Sequence, residues 1–180
     1  VQVDGRSVKL ETTRVVIAFN KPAGIVCTSD KKESNNIIDA ISYPVRIFTV
    51  GRLDKDSRGL IFLTNDGDFM NQMTSARYHH DKEYYVTVDK EVTDDFVKRM
   101  SNGIYLPELH QKTRRCQVKK IRYDAFSITL MQGLNRQIRR MCKALDYDVT
   151  DLQRIRVSNM RLKDLNLKEG EYRELTEDEI

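Results

Sequence analysis

Residue types that build specialised sites are scarce in this chain. Its 180 residues include three cysteines, three prolines, eight glycines and no tryptophan. Cys27, Cys116 and Cys142 are odd in number and far apart, which predicts free thiols in a reducing compartment rather than disulfides or a thiolate metal site. No apolar stretch reaches the roughly 18 residues of a membrane helix, and the first residues do not resemble a secretory leader. We therefore expect a cytoplasmic protein with no membrane partner.

The net charge of the chain is also small. The chain has 31 Lys and Arg residues against 27 Asp and Glu residues, a net charge of +4. Such an excess attracts polyanions only where it is clustered. The sequence contains neither a phosphate-binding glycine loop nor a metal-ligating cluster, so we expect no cofactor and no metal. Its length suits one sizeable core, or one domain with a small appendage.

Strand-like and helix-like segments follow one another without an internal repeat. Strands are predicted where β-branched and aromatic residues gather, as in "RVVIAFNK", "IFTVGRL", "GLIFLTN", "KEYYVTVD" and "DVTDLQRIRVSNM". Short helices are predicted at "NNIIDAIS", "DGDFMNQMTSA", "TDDFVKRMSNG" and "NRQIRRMCKAL". "RRCQVKKIRYD" and "AFSITLMQG" predict an antiparallel hairpin, and "VQVDGRSVKL" a shorter one. This mixture favours an α+β fold with a mixed, mostly antiparallel sheet flanked by helices and loops.

The most unusual stretch is "GRLDKDSRGL", residues 51–60, which lies between two apolar segments. A calcium loop fits Asp54, Asp56 and Gly59 at its positions 1, 3 and 6. It fails at Arg58, a cation where an oxygen ligand belongs, and at Asn65, which cannot supply the bidentate carboxylate. A solvated turn and a catalytic acid held by an arginine both remain open, and for a single charged loop the solvated turn is the more common outcome.

Two clusters of basic residues lie downstream. "LNRQIRRM" places Arg136, Arg139 and Arg140 within one helical turn, and "KTRRCQVKK" lies about twenty residues earlier. A solvated basic helix face is a frequent outcome for such a segment. The density of the two clusters together favours a phosphate-binding surface.

Three motifs, read together, are distinctive. "GRLDKDSRGLIFLTNDGDF", "KEYYV" and "QGLNRQIRRM", in this order, closely resemble those of the bacterial ribosomal RNA pseudouridine synthases of the RsuA-type family, within it the RluF-like branch. The resemblance implies the pseudouridine synthase fold, with a catalytic domain over residues 14–180. Residues 1–13 would then be the remnant of an S4-like RNA-binding domain, or a linker. Many relatives have Gly-Arg where this chain has Gly133-Leu134, which removes one phosphate contact and bears on the RNA target rather than the reaction.

The resemblance also assigns roles to residues of this chain. Asp54 would be the essential catalytic carboxylate, Tyr84 the tyrosine that stacks on the target uracil, and Arg139 the basic residue that pairs with Asp54. The remaining expected contacts with RNA and the target nucleotide are Arg52, Lys82 and Ile138, to which the basic face adds Arg136 and Arg140.

The implied chemistry agrees with these residue types. Pseudouridine formation needs an ionised carboxylate in a water-poor pocket, and a guanidinium within a few ångströms favours the ionised form. An aromatic platform recovers part of the cost of unstacking a uridine. Without the motif, Tyr84 would more often be a core residue on a strand. Asp56 is expected only to turn or cap the loop, and whether Asp54 attacks ribose or base, or deprotonates the sugar, stays open.

These expectations together describe a cofactor-independent enzyme that isomerises one uridine in a stem-loop of 23S ribosomal RNA and acts as a monomer. A transfer RNA is a second candidate substrate. The alternative is a catalytically silent ribosomal RNA-binding or assembly module on the same fold. An RNA-cleaving or glycosylase enzyme fits less well, because paired histidines or a second well-placed carboxylate are missing.

Overall fold

The computed structural model describes residues 13–75 and 80–180. Its helices are α1 (Ile37–Ile41), α2 (Gly67–Thr74), α3 (Asp94–Asn102) and α4 (Gln137–Ala144), with 3₁₀ turns at Pro107–Leu109 and Leu162–Leu165. Its strands are β1 (Val16–Lys21), β2 (Phe48–Val50), β3 (Arg58–Thr64), β4 (Lys82–Val88), β5 (Tyr105–Leu106), β6 (Gln111–Lys112), β7 (Gln117–Arg122), β8 (Ala125–Leu130), β9 (Val149–Val157), β10 (Met160–Arg161) and β11 (Tyr172–Glu174). Within the described ranges, no helix is long and apolar enough to cross a membrane.

One twisted sheet organises the molecule. Its strands follow the order β11-β1-β3-β9-β4-β8-β7, with β2 beside β3 and β10 beside β9, while β5 and β6 form a separate ribbon. The pairings are antiparallel except that between β3 and β9, which is parallel at Arg58–Gln153 and Gly59–Arg154. The predicted α+β fold with a mixed, mostly antiparallel sheet is thus confirmed, as is the β7–β8 hairpin. The predicted N-terminal hairpin and nearly all of the 1–13 segment lie outside the described residues.

Helices α1, α2 and α3 each begin at a polar capping residue. The side chains of Asn36, Asp66 and Thr93 accept hydrogen bonds from the main-chain N–H groups of Asp39, Asp68 and Phe96, which would otherwise lack partners. Gly103 ends α3 with φ at 93°, a value that glycine adopts more readily than other residues.

Apolar packing on the sheet positions the elements that carry the motifs. The core under β4, β8 and β9 includes Phe96, Phe126 and Met141, so it fixes α3 and α4 to one half of the sheet. Two further clusters cover β1 and β3, one around Phe62 and Leu162 and the other around Phe19 and Ile61. Tyr84 packs against both the α4 side and the β1 side, at the junction of the two halves.

Candidate active site

A cavity of about 480 Å³ opens between the two halves of the sheet. Its walls come from the loop before β3, from β4 and β9, and from the segment that leads into α4. The lining includes seven of the eight residues expected to act on RNA, namely Arg52, Asp54, Lys82, Tyr84, Arg136, Ile138 and Arg139. Arg140 is not among the lining residues, and its guanidinium binds the main-chain and side-chain oxygens of Asn135 at 2.9 and 2.7 Å.

The loop that carries Asp54 is held from below by a buried lysine. Lys21 is fully buried, and its Nζ donates hydrogen bonds to the carbonyl oxygens of Ser57 (2.7 Å), Pro22 (3.0 Å) and Lys55 (3.4 Å). Burial lowers the pKa of Lys21, and the nearby negative charges, including those of Asp54 and Asp56, oppose this effect. The loop is therefore a fixed turn rather than a freely solvated one, closed by a hydrogen bond from the Ser57 N–H to the Asp54 carbonyl (3.0 Å).

Asp54 pairs with Arg136 and not with the expected Arg139. The Arg136 Nη1 atom lies 3.3 Å from Asp54 Oδ2. Arg136 precedes α4 in a left-handed conformation (φ 47°), which aims its side chain out of the helix and over the loop. Such a conformation is uncommon and costly for a residue with a side chain, and it is typical of functional sites.

Arg139 reaches the neighbouring part of the loop. Its Nη2 atom donates to the Asp56 carbonyl oxygen (3.0 Å) and to Ser57 Oγ (3.1 Å), and lies 3.5 Å from Asp56 Oδ1. The expected Arg139–Asp54 pair is wrong in this structure, because Arg139 lies inside α4, with its side chain only 16% exposed, and contacts the loop one and two residues beyond Asp54. Ile138 is buried beside it in the apolar wall, as expected.

Asp56 does more than turn the loop, so that expectation is also wrong. Its carboxylate binds Arg136 through two hydrogen bonds of 3.0 and 2.8 Å, and it faces Arg139 as well. Hydrogen bonding by Arg136, together with the charges of Arg139 and Arg136, lowers the pKa of Asp56. Arg136 is thus shared by two carboxylates. The sequence pattern "DKDSR" did not indicate which arginine each carboxylate would bind.

Strand β4 supplies the aromatic side of the cavity. Lys82 and Tyr84 face the cavity, since they alternate with Glu83 and Tyr85 along the strand. Tyr84 is half-buried, so it combines the core role and the cavity-lining role that the sequence left open. Tyr85 lies on the opposite face of the strand, where the guanidinium of Arg122 lies over its ring.

Arg154, which sequence reasoning missed, lines the cavity beside Tyr84. It is only 3% exposed, and its Nε donates to the Leu60 carbonyl at 2.8 Å. A signal was present in "DLQRIRV", because an arginine alternates there with Leu152 at inward-facing strand positions.

The site combines a carboxylate, a tyrosine face and several cations around one cavity on a mixed sheet. A flipped base needs a stacking surface, and the attached backbone needs positive charge. The fold and the site together therefore suit a protein that binds a base extruded from a nucleic acid.

Comparisons with known proteins narrow this class. The family model described as RNA pseudouridylate synthase matches residues 15–144. The "Dual-specificity RNA pseudouridine synthase RluF" of Salmonella typhi is 50% identical over 182 aligned positions, which cover 100% of this chain and 62% of that protein. The "Ribosomal small subunit pseudouridine synthase A" of Escherichia coli K12 is 32% identical, covering 100% of this chain and 78% of that protein. A crystal structure of a pseudouridylate synthase superposes with a TM-score of 0.85 at 31% identity, over 93% of this chain and 72% of that one.

The chain belongs to the RNA pseudouridylate synthase family. The resemblance to the RsuA-type family and its RluF-like branch is confirmed by the relatives with 50% and 32% identity. The chain spans 62% of the length of the Salmonella typhi relative.

Proposed function

We propose that the chain is the catalytic domain of a cofactor-independent pseudouridine synthase that isomerises a uridine in 23S ribosomal RNA in the cytoplasm. The observation that carries this proposal is the position of Asp54, which lies in the cavity beside Arg136 and shares that cavity with Tyr84. The names of the family members support an RNA substrate. The free thiols of the described chain are compatible with a reducing compartment.

The proposed reaction conserves the atoms of the uridine. The C1′–N1 bond breaks, the uracil rotates, C1′ joins C5, the C5 proton leaves for solvent, and N1 gains a proton. Asp54 is the carboxylate that acts on the nucleotide, and Tyr84 supports the flipped ring. Arg136 keeps a positive charge beside Asp54, and a nucleotide bound in the cavity would displace water from this pair.

The substrate class can be tested by release of tritium from RNA labelled at C5 of uridine. We expect the protein to release about one equivalent from a 23S ribosomal RNA transcript and none from a 16S transcript. Transfer RNA is the third arm of the experiment. Release from 16S RNA alone would overturn the 23S assignment. Tight binding without release from any RNA would instead support a silent ribosomal RNA-binding module.

A second expectation concerns phosphate contacts. Among the described residues, Arg140 binds only oxygens of Asn135 and Arg115 only an amide oxygen of Asn102, so neither charge is neutralised by a carboxylate. We expect Arg140→Ala to weaken RNA binding and to reduce the slope of log affinity against log salt by about one. Lys163→Ala is the control, because Lys163 lines a different surface groove with Gln153. Equal slopes for the wild type and Arg140→Ala would show that Arg140 contacts no phosphate and only lies on a solvated helix face.

Asp56→Asn should lower turnover by roughly 10- to 100-fold, since a misplacement of about 1 Å around a reacting centre can cost about 100-fold. The substitution removes the charge that holds Arg136 and Arg139 while keeping the size of the side chain. Adding Arg136→Ala to Asp56→Asn should lower turnover further, because Arg136 also pairs with Asp54, but by less than the product of the two single losses, since Arg136 and Asp56 share a contact. Steady-state rates of the single and double variants test this. Additive losses would show that Asp56 acts independently of Arg136.

A further inference from the structure

Two cations lie side by side on the floor of the cavity. Lys82 begins β4 and Arg154 lies on the adjacent strand β9, directly opposite Tyr84. A register shift between Glu83 and Tyr84 bulges β9, and the side chains of Lys82, Tyr84 and Arg154 all line the cavity. The two positive charges therefore flank the aromatic ring on which the uracil is proposed to stack.

Neither cation has an acidic partner within residues 13–75 and 80–180. The hydrogen bond of the Arg154 Nε to the Leu60 carbonyl leaves the two terminal nitrogens of the guanidinium without an acceptor there. Lys82 likewise forms no ion pair in this part of the chain. Other half-buried arginines of the same sheet are paired, as Arg58 is with Asp151 (2.7 Å) and Arg156 with Asp81 (3.0 Å).

This arrangement is costly for the RNA-free protein. Burial lowers the pKa of Lys82, and the charge of Arg154 lowers it further, while Asp81 opposes the shift. A charge removed from water without a partner destabilises the fold, and a second charge of the same sign adds to that cost. An anion bound between Lys82 and Arg154 would remove both costs.

We propose that Lys82 and Arg154 form a subsite for the phosphate group attached to the flipped uridine. The inference rests on the proposed function and adds a ligand group to it. A guanidinium binds a phosphate through two parallel hydrogen bonds, and an ammonium adds a point charge. Paired positions on adjacent strands lie about 5 Å apart, so a uracil on Tyr84 places its own backbone beside Arg154.

The other cations of the cavity are less suited to this phosphate. Arg136 is already bound by Asp54 and Asp56, and Arg139 by the loop around Asp56. Arg52 also lines the cavity and forms no ion pair with the described residues, but it is exposed. Lys82 and Arg154 are therefore the more buried cations of the cavity without a carboxylate partner, and they lie beside the stacking ring.

The test compares uridine 5′-monophosphate with uridine, which lacks the phosphate, as ligands of the folded protein. We expect the wild type to bind the nucleotide about tenfold more tightly, the size of one or two charge-assisted hydrogen bonds. Lys82→Gln should remove most of this ratio, and the milder Arg154→Lys should reduce it while the fold is kept. Lys163→Gln, a lysine of the other groove, should leave it unchanged. Chemical-shift titration by NMR gives each dissociation constant and reports folding in the same spectra.

The proposal is overturned by a ratio near one in the wild type or by an unchanged ratio in Lys82→Gln. It is also overturned if neither ligand binds by about 10 mM, since a weaker site would contribute less than roughly 3 kcal/mol. Tritium release from RNA separates this outcome from failure of the proposed function. An enzyme that releases tritium but shows no nucleotide preference lacks only the subsite. A protein that prefers the nucleotide but releases no tritium has the phosphate subsite, and the proposed reaction is then wrong.

Discussion

Asp54→Asn should abolish tritium release from C5-labelled RNA, with a fall in rate of at least about 1,000-fold, as is usual when a group that acts directly on substrate is removed. The amide keeps the size of the side chain and much of its hydrogen-bonding shape. It cannot attack carbon or accept a proton usefully, and it carries no charge to pair with Arg136. The chemistry should therefore be lost at the cavity where the flipped uridine is proposed to bind.

Folding and RNA binding should survive the same substitution. The Asp54 side chain is 39% exposed, so its loss disturbs no buried packing. Phosphate contacts supply much of the affinity for RNA, and Asp54 makes none. Asp164→Asn, an exposed acid in the turn Leu162–Leu165, is the matched control and should retain full activity. Tritium release by Asp54→Asn at the wild-type rate would show that Asp54 is not the catalytic carboxylate and that its loop is only a structural turn.

Gly59→Ala should destabilise the fold by about 3–5 kcal/mol, the range of severe core substitutions. Gly59 has φ +115°, which side chains rarely adopt, and a Cβ there would lie 2.3 Å from the Arg154 carbonyl oxygen. That contact is with main chain at the parallel β3–β9 pairing, so no side-chain rotation relieves it. Because β3 follows the Asp54 loop and β9 carries Arg154, the close approach also joins the two sides of the cavity.

Two other glycines separate the causes of this effect. Gly51→Ala adds a Cβ at φ +74° with nothing within 4 Å, so it should cost only the backbone strain, about 1–2 kcal/mol. Gly67→Ala, at the start of α2 with open space and no positive φ, should be close to neutral. Thermal or urea unfolding of the three variants checks the order. Equal midpoints for Gly59→Ala and Gly51→Ala would show that strands β3 and β9 separate without cost.

The strands and helices of this fold could be predicted because residue types within each segment indicate them. β-Branched and aromatic residues indicated β3 and β9, and the segments "NNIIDAIS" and "TDDFVKRMSNG" indicated α1 and α3. The order of the strands in the sheet could not be predicted this way. It depends on contacts between segments distant in sequence, such as the pairing of β9 with both β3 and β4.

For the candidate site, the sequence likewise predicted which residues take part but not how they pair. The motifs identified Asp54, Tyr84 and the arginines of α4, and the structure brings these groups to one cavity. The pairing of carboxylates with arginines was wrong, because it depends on the left-handed conformation of Arg136, which no local pattern indicates. Alternation in "DLQRIRV" placed Arg154 on the inward face of β9, but its pairing with Tyr84 depends on the strand order and on a register shift, which no local pattern indicates.

The most direct test is a pseudouridine map of ribosomal RNA from cells in which the gene encoding this chain, at its natural length, carries Asp54→Asn. The account predicts that one position of 23S RNA loses its pseudouridine in the variant and keeps it in the wild type, while the remaining pseudouridines are unchanged. A transfer RNA map from the same cells shows whether a second substrate exists. Identical maps of both RNA classes in the two strains would contradict the claim that Asp54 carries out uridine isomerisation.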